Sequence, residues 1–316
     1  MNSHHTSSEN VIPLIDIPPV GTSKVIPAEE TSRALVTALQ NSGFLLIKSP
    51  LLTPEFQSKS LESSKIFLNS RNSHRIVDHP SDPKVYAMLN SIEECQEVSL
   101  DLQQYMDIMQ KIKVDVLMHL AVGLEMKDTD FFTKLHSENN DALRLINYHP
   151  ADSSCTGNRC KEHSDYGTIT LLSTDGVSGL ECFHSGGWIP VPYIEGTLVV
   201  NIGTLLSGWT NGLLKATLHR VAGPKSSNSQ SLKEDLIKAC KQTRSSIAFF
   251  ADPNQNISSE ISNKLDLTEG LKDALQGMTV AEYVEWRSGG SPTDHNRSGV
   301  GLTSNESDIL RRSNED

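Results

Sequence analysis

The stretch EHSDYGTITLL, residues 162–172, sets an imidazole and a carboxylate two positions apart at the head of a run of strand-forming residues. On a β-strand, residues i and i+2 leave the same face, so His163 and Asp165 are expected to converge on one point. A second histidine, His219, stands 56 residues after the first in LLKATLHRVAGP, a separation suited to a chain returning to the same end of a barrel. Arg244 and Ser246, in TRSSIAFF, repeat the i, i+2 spacing. Two imidazoles and one carboxylate can take three positions on one face of a ferrous ion and leave the opposite positions open. An arginine fork suits a carboxylate, and Ser246 would add a hydroxyl on the same side.

Each of these residues also has an ordinary reading. A His-Asp pair can be a hydrogen bond, a lone histidine a half-buried sheet residue, and a strand arginine a solvated or salt-bridged one. What sets them apart is that every member stands at the start or end of an apolar β-run. Cys155 and Cys160 with His163 lack the fourth ligand that a structural zinc site needs. His149 reads either as a neighbour of a metal site or as a plain sheet residue. The chain has no His-Glu-x-x-His, no Gly-x-Ser-x-Gly and no phosphate-binding glycine loop.

These residues need elements to hold them. VIPLIDI (11–17) reads as an edge strand, since its proline cannot donate to a ladder. A helix is expected after Pro27, with acidic residues in its first turn and Gly43 at its end, followed by a strand over FLLIK (44–48). A second helix is expected with Thr53 as N-cap and Pro54 just inside it. Residues 69–97, rich in Ser, Asp, His and Pro, read as a loop lining an entrance. Leu102, Met106, Met109, Ile112, Val116 and Leu120 then form one stripe of a helix over 99–124, a core-packing pattern.

From Ala142 the texture changes to short β-runs divided by turn signals such as DGVSG and HSGG. This predicts a mainly β fold with flanking helices, a sandwich, jelly roll or barrel. The expected organisation is a disordered tail at 1–10, a mixed helical region at 11–139 packed on the core, a β core at 140–255, a C-terminal helical segment at 256–287 and a polar tail at 288–316.

The 316-residue chain carries a formal net charge of −11 with 37% hydrophobic residues. An acidic surface excludes most nucleic-acid binders, because phosphates require basic partners. Five scattered cysteines form no disulfide framework and point to a reducing compartment. With no apolar leader at MNSHHTSSEN and no run of about 18 apolar residues, the expectation is a cytoplasmic monomer, away from membranes, acting on a small molecule.

Five stretches carry a family likeness: RLINYHP (144–150), EHSDYGTITLL (162–172), GLECF (179–183), the long run from Gly186 to Val221, and RSSIAFFADPN (244–254). Together they resemble the isopenicillin N synthase-like branch of the iron(II)/2-oxoglutarate-dependent dioxygenases. The resemblance covers most of residues 140–255 and implies a double-stranded β-helix, or jelly-roll, core. By it His163, Asp165 and His219 match iron ligands, and Arg244 and Ser246 match the pair that binds the far carboxylate of 2-oxoglutarate. Tyr148, Asn147 and Asn201 match further residues of the co-substrate site. The implied activity is hydroxylation, desaturation or cyclisation of a small molecule with O₂, releasing succinate and CO₂. Two alternatives stay open: an oxidase of the isopenicillin N synthase type that uses no 2-oxoglutarate, and a non-catalytic jelly-roll binding protein. The sequence departs from the family pattern at His149, at Thr204 and at Lys48-Ser49-Pro50, none of which is an implied iron ligand.

Overall fold

The computed structural model describes residues 11–20, 26–70, 73–78, 82–151, 157–224 and 230–257. The tails expected at 1–10 and 288–316, and the helix expected near 267–287, lie outside these. In the N-terminal region the chain forms β1 (Leu14–Asp16), α1 (Glu29–Asn41), β2 (Phe44–Lys48), α2 (Pro54–Ser70), β3 (Ile76–Asp78), β4 (Lys84–Leu89), α3 (Ile92–Val98), α4 (Leu100–Gly123) and α5 (Phe131–Leu135). The expected start and stop signals operate. Thr53 Oγ1 accepts from the Phe56 amide at 3.2 Å, and Ser99 caps α4 by accepting from Asp101 N at 3.2 Å. Gly43 takes a φ of +71°, and a Cβ there would stand 2.3 Å from the Lys215 carbonyl. Only glycine turns the chain from α1 into β2 so tightly.

The loop expected at 69–97 is instead largely ordered as β3, β4 and α3. KVYAML alternates cleanly: Val85, Ala87 and Leu89 are buried among the core, while Lys84 and Tyr86 face the other way. A six-residue alternation flanked by Ser, Asp and Pro is hidden by its surroundings when composition is averaged over about thirty residues.

The C-terminal half holds β5 (Asp141–Tyr148), β6 (Cys160–His163), β7 (Ile169–Thr174), β8 (Leu180–His184), β9 (Gly187–Pro190), β10 (Leu198–Ile202), α6 (Thr204–Trp209), β11 (His219–Val221), α7 (Gln230–Cys240) and β12 (Arg244–Ala251). Two sheets result, ordered β1-β2-β10-β7-β12-β5-β4-β3 and β6-β11-β8-β9. The chain crosses from one to the other as it proceeds: β5, β7, β10 and β12 lie in the larger, and β6, β8, β9 and β11 in the smaller. That alternation is the winding of a double-stranded β-helix, and it matches the expected fold class. β1–β2 and β4–β3 widen the larger sheet at its two edges.

The pleat sorts the larger sheet into two faces. Leu143, Leu145, Ile169, Leu171, Leu198, Val200, Ile247 and Phe249 join a core with Leu35, Leu39, Leu61 and the α4 stripe, whose members Leu102 to Leu120 are all fully buried. The opposite face carries Arg144, Ile146, Tyr148, Thr170, Leu172, Asn201, Arg244 and Ser246 toward a cavity between the sheets. No helix among the described residues is long and apolar enough to cross a membrane.

One ion pair is sealed in the helix-facing layer. Lys113 of α4 donates to Asp141 Oδ2 at 2.7 Å and to Asn139 Oδ1 at 3.0 Å, with the two charged side chains 1% and 0% exposed. Burial raises the Asp141 pKa even against the adjacent ammonium, so the pair registers α4 on β5 rather than adding net stability. Lys113→Met is expected to cost about 3–5 kcal/mol in urea unfolding by stranding the carboxylate. The double variant Lys113→Met/Asp141→Leu should recover most of that loss. A double variant no more stable than the single would contradict this origin.

Candidate metal centre

His163 and His219 face each other across the ladder between β6 and β11, and their ring centroids lie 4.3 Å apart. Asp165 does not share a strand with His163, contrary to the i, i+2 expectation. β6 ends at His163, and Asp165 lies in the connection that carries the chain across to β7. The crossing is pinned by backbone contacts. Thr204 N donates to the Asp165 carbonyl at 2.8 Å, Leu205 N to Tyr166 O at 3.0 Å, and Gly203 N to Thr168 O at 3.0 Å. A Cβ on Gly203 would stand 2.0 Å from the Gly167 carbonyl, so the approach requires glycine. The carboxylate thus reaches the histidine pair by a bend between sheets.

Hydrogen bonds aim one donor atom of each residue inward. His163 Nδ1 lies 2.8 Å from the Lys161 carbonyl and His219 Nδ1 lies 3.2 Å from the Thr217 carbonyl. A carbonyl only accepts, so each Nδ1 carries a proton and each Nε2 is the ring nitrogen left for a ligand. These Nε2 atoms stand 3.8 and 3.7 Å from Asp165 Oδ1. The other carboxylate oxygen, Oδ2, is occupied: it accepts from Thr170 Oγ1 at 2.6 Å and Asn201 Nδ2 at 2.7 Å. A first-row divalent ion binds such donors at about 2.1 Å, so atoms less than about 4 Å apart can share one. Two nitrogens and one oxygen, each oriented by an outer hydrogen bond, fit a divalent first-row ion such as iron(II).

Charge is distributed to match. Despite burial, Asp165 is held below the usual carboxylate range by His219, His163 and its two hydrogen-bond donors. Burial and the neighbouring His163 push His219 down to about 4. Burial opposes the His163 imidazolium, but Cys160 and Asp165 outweigh it and raise the pKa to about 9. Cation uptake at neutral pH must therefore displace a proton from His163.

At the far end of the cavity stands Arg244, 2% exposed on β12. Its Nε donates to the Val177 carbonyl at 3.2 Å, Nη1 lies 3.5 Å from Ser246 Oγ, and Cζ is 5.2 Å from the Tyr148 ring centroid. Arg244, Ser246 and Tyr148 therefore lie together on one wall of the cavity. Asn147 does not join them. The pleat turns it to the helix-facing side of β5, where its Oδ1 accepts from Ser245 Oγ at 2.7 Å. Asn201 lines the cavity, but its amide is spent on Asp165. His149 stands apart from the cavity with its Nε2 3.9 Å from Asp78.

Sequence reasoning missed several contributors. Thr170 was legible only as part of TITLL, although its alternation with Ile169 and Leu171 places it on the polar face. Phe44 packs edge-on against the His219 ring, centroids 5.5 Å apart. Arg159, 1% exposed, donates from Nη2 to the carbonyls of Tyr148, His149 and Gln242 at 2.8, 2.9 and 3.0 Å, tying the end of β5 to the chain just before Arg244. Lys84 and Tyr86 were hidden with β4.

Residues 128–253 match the model of the 2OG-Fe(II) oxygenase superfamily. A 2-oxoglutarate-dependent dioxygenase of Aspergillus rugulosus, ecdK, is 32% identical over 197 residues, covering 60% of this chain and 57% of that protein. The proline hydroxylase buaE of Petromyces alliaceus is 33% identical over 56% of this chain and 55% of its own length. The chain spans about half the length of the curated relatives it matches. The crystal structure of a full-length Neurospora crassa protein in complex with alpha-KG superposes with a TM-score of 0.64 at 26% identity, covering 78% of this chain and 86% of that one. A 2OG-Fe(II) oxygenase family protein of Caulobacter crescentus shares the fold with a TM-score of 0.67 at 20% identity, over 87% of this chain and 98% of that one. The likeness to the 2OG-Fe(II) oxygenase superfamily is thus carried by residues 128–253, the stretch that holds His163, Asp165, His219 and Arg244.

Two outcomes follow from the metal-centre geometry. Asn201→Ala should weaken iron(II) binding about 10- to 100-fold in an anaerobic titration, as loss of an outer hydrogen bond does elsewhere, while leaving the fold intact. Iron(II) uptake between about pH 6 and 8 should release about one proton, so the apparent affinity should rise with pH until the His163 pKa is passed. An affinity flat across that range would contradict the protonated His163.

Proposed function

We propose that this protein is an iron(II)- and 2-oxoglutarate-dependent oxygenase that oxidises a small molecule with O₂. The observation that carries the reading is the one-sided triad, with one free donor atom on each of three residues and every second heteroatom already bonded. His163, Asp165 and His219 would hold the metal on one face and leave its cavity side to ligands. Bound there with 2-oxoglutarate, iron(II) supplies O₂ activation coupled to oxidative decarboxylation, giving succinate and CO₂. The remaining work falls to the chain. Arg244 and Ser246 receive the distal carboxylate of the co-substrate, and Arg244 can do so because its fork meets no carboxylate among the described residues. Tyr148 walls that end and stays a neutral phenol, its pKa pushed well up by burial. Phe44, Leu172 and Phe250 give the reacting region apolar walls that exclude water.

The relatives' names support this assignment, as does the alpha-KG complex of the Neurospora structure. We further propose a monomer working in a reducing, cytoplasmic setting, without nucleic-acid or membrane partners. The free thiols of Cys95, Cys160, Cys182 and Cys240 and the acidic net charge support that setting.

In an anaerobic titration with iron(II) and 2-oxoglutarate, the wild type should develop the weak visible charge-transfer band of the chelate, and His219→Ala should not. Arg244→Leu should weaken 2-oxoglutarate binding by about 2–5 kcal/mol. Normal co-substrate binding by that variant would remove Arg244 from its role. Turnover without succinate would point to the oxidase chemistry that does without 2-oxoglutarate.

A further inference from the structure

The cavity wall holds four cationic side chains, Lys84, Arg144, Arg220 and Arg244, in a chain of net charge −11. Two are neutralised by their own neighbours. Lys84 Nζ lies 3.0 Å from Asp82, and Arg220 meets Glu181 at 2.8 Å and Glu162 at 3.4 Å. Arg244 is taken by the co-substrate in the reading above. Arg144 is left. Among the described residues it has neither a salt bridge nor a hydrogen bond, and its buried Nε meets no partner at all. What holds it is the Tyr86 ring, with Cζ 4.4 Å from the centroid. A guanidinium stacked on a ring keeps its edge donors free and pre-oriented, which suits a planar anion. Leaving such donors unmet in a partly dry site is costly, so the arrangement favours an anionic occupant.

The ladder separates Arg144 from the co-substrate pair. On β12, Arg244 is opposite Tyr148 and Ala248 is opposite Arg144. Four residues along a strand is about 13 Å between backbones. The alternation on β5 turns Arg144, Ile146 and Tyr148 into the same cavity, and β4 supplies Tyr86 beside them.

We infer that Arg144, stacked on Tyr86, receives a carboxylate of the substrate to be oxidised, so that the substrate class is small organic acids with an apolar body. This rests on the oxygenase reading, which supplies the reaction and reserves Arg244 for 2-oxoglutarate. Apolar walls at Phe44, Leu172 and Phe250 fit the body, and the fork fits the acid.

The test compares matched probes: benzoate with benzamide, hexanoate with hexanamide, and N-acetylphenylalanine with its amide. Binding is read by calorimetry and thermal shift on anaerobic protein loaded with iron(II) and saturating 2-oxoglutarate, and again on protein without either. At least one acid should bind the wild type ten-fold or more tightly than its amide. Arg144→Gln should erase that preference while keeping 2-oxoglutarate affinity within about two-fold. Arg144→Lys, which keeps the charge and loses the fork, should restore part of it. The inference is overturned if no acid is preferred, if the preference survives in Arg144→Gln, or if that variant loses 2-oxoglutarate binding instead. A wild type that takes up neither iron nor 2-oxoglutarate would sink the oxygenase reading, while the acid-over-amide comparison on unloaded protein would still decide the role of Arg144.

Discussion

Everything at the candidate centre depends on one crossing of the chain between two sheets. His163 and His219 are neighbours in the smaller sheet, whereas the donors that orient Asp165 come from β7 and β10 in the larger one. The carboxylate is the only member of the triad that both sheets hold. Its position therefore reports the spacing of the sheets, and the backbone contacts of Gly203, Thr204 and Leu205 with residues 165–168 set that spacing. Thr204 stands where the family resemblance leads one to expect an aspartate. At that position the crossing uses the backbone N–H, which any residue except proline supplies, and also the Thr204 hydroxyl, which donates to the Tyr166 carbonyl at 3.3 Å.

The two faces of the larger sheet divide the work. One face is mainly apolar, with Asp141, Asn147 and Ser245 each hydrogen-bonded within it, and it receives α1, α2 and α4, so strand order and register are set by burial. The other collects polar and charged groups that would be costly inside a core, and it can do so because the smaller sheet leaves a cavity above it. Period-two alternation puts Tyr148 in that cavity and Asn147 behind it. Two residues adjacent in sequence thus have unrelated roles. A family motif that names both as a pair does not distinguish them, but the pleat does.

Much of this was legible in the sequence. The helices over α1, α2 and α4 carry their own caps and stripes, and the strands of the β-helix appear as short β-runs between turn residues. The triad was legible as residue types at suggestive spacings, and Arg244 with Ser246 as a true same-face pair. What sequence could not supply was the route by which Asp165 arrives, since strand periodicity gave the right convergence for the wrong reason. β4 was lost because its alternation is short and its neighbours resemble a loop. With it went Tyr86, and hence any reason to look at Arg144. Thr170 and Asn201 illustrate a further limit. Their partner, one oxygen of Asp165, becomes visible only when distant strands are laid side by side.

The mixed composition of the larger sheet has a consequence for where this protein can be divided. β5 is hydrogen-bonded on one side to β12 and on the other to β4, and β10 lies between β7 and β2. The stretch that matches the superfamily begins at residue 128, after both of those outer partners. A fragment trimmed to it would present two bare strand borders, each with a row of unmet amides and carbonyls, and such borders recruit other chains. The N-terminal strands are thus selvedges of the larger sheet, and the boundary drawn by sequence similarity falls where the fabric cannot be cut.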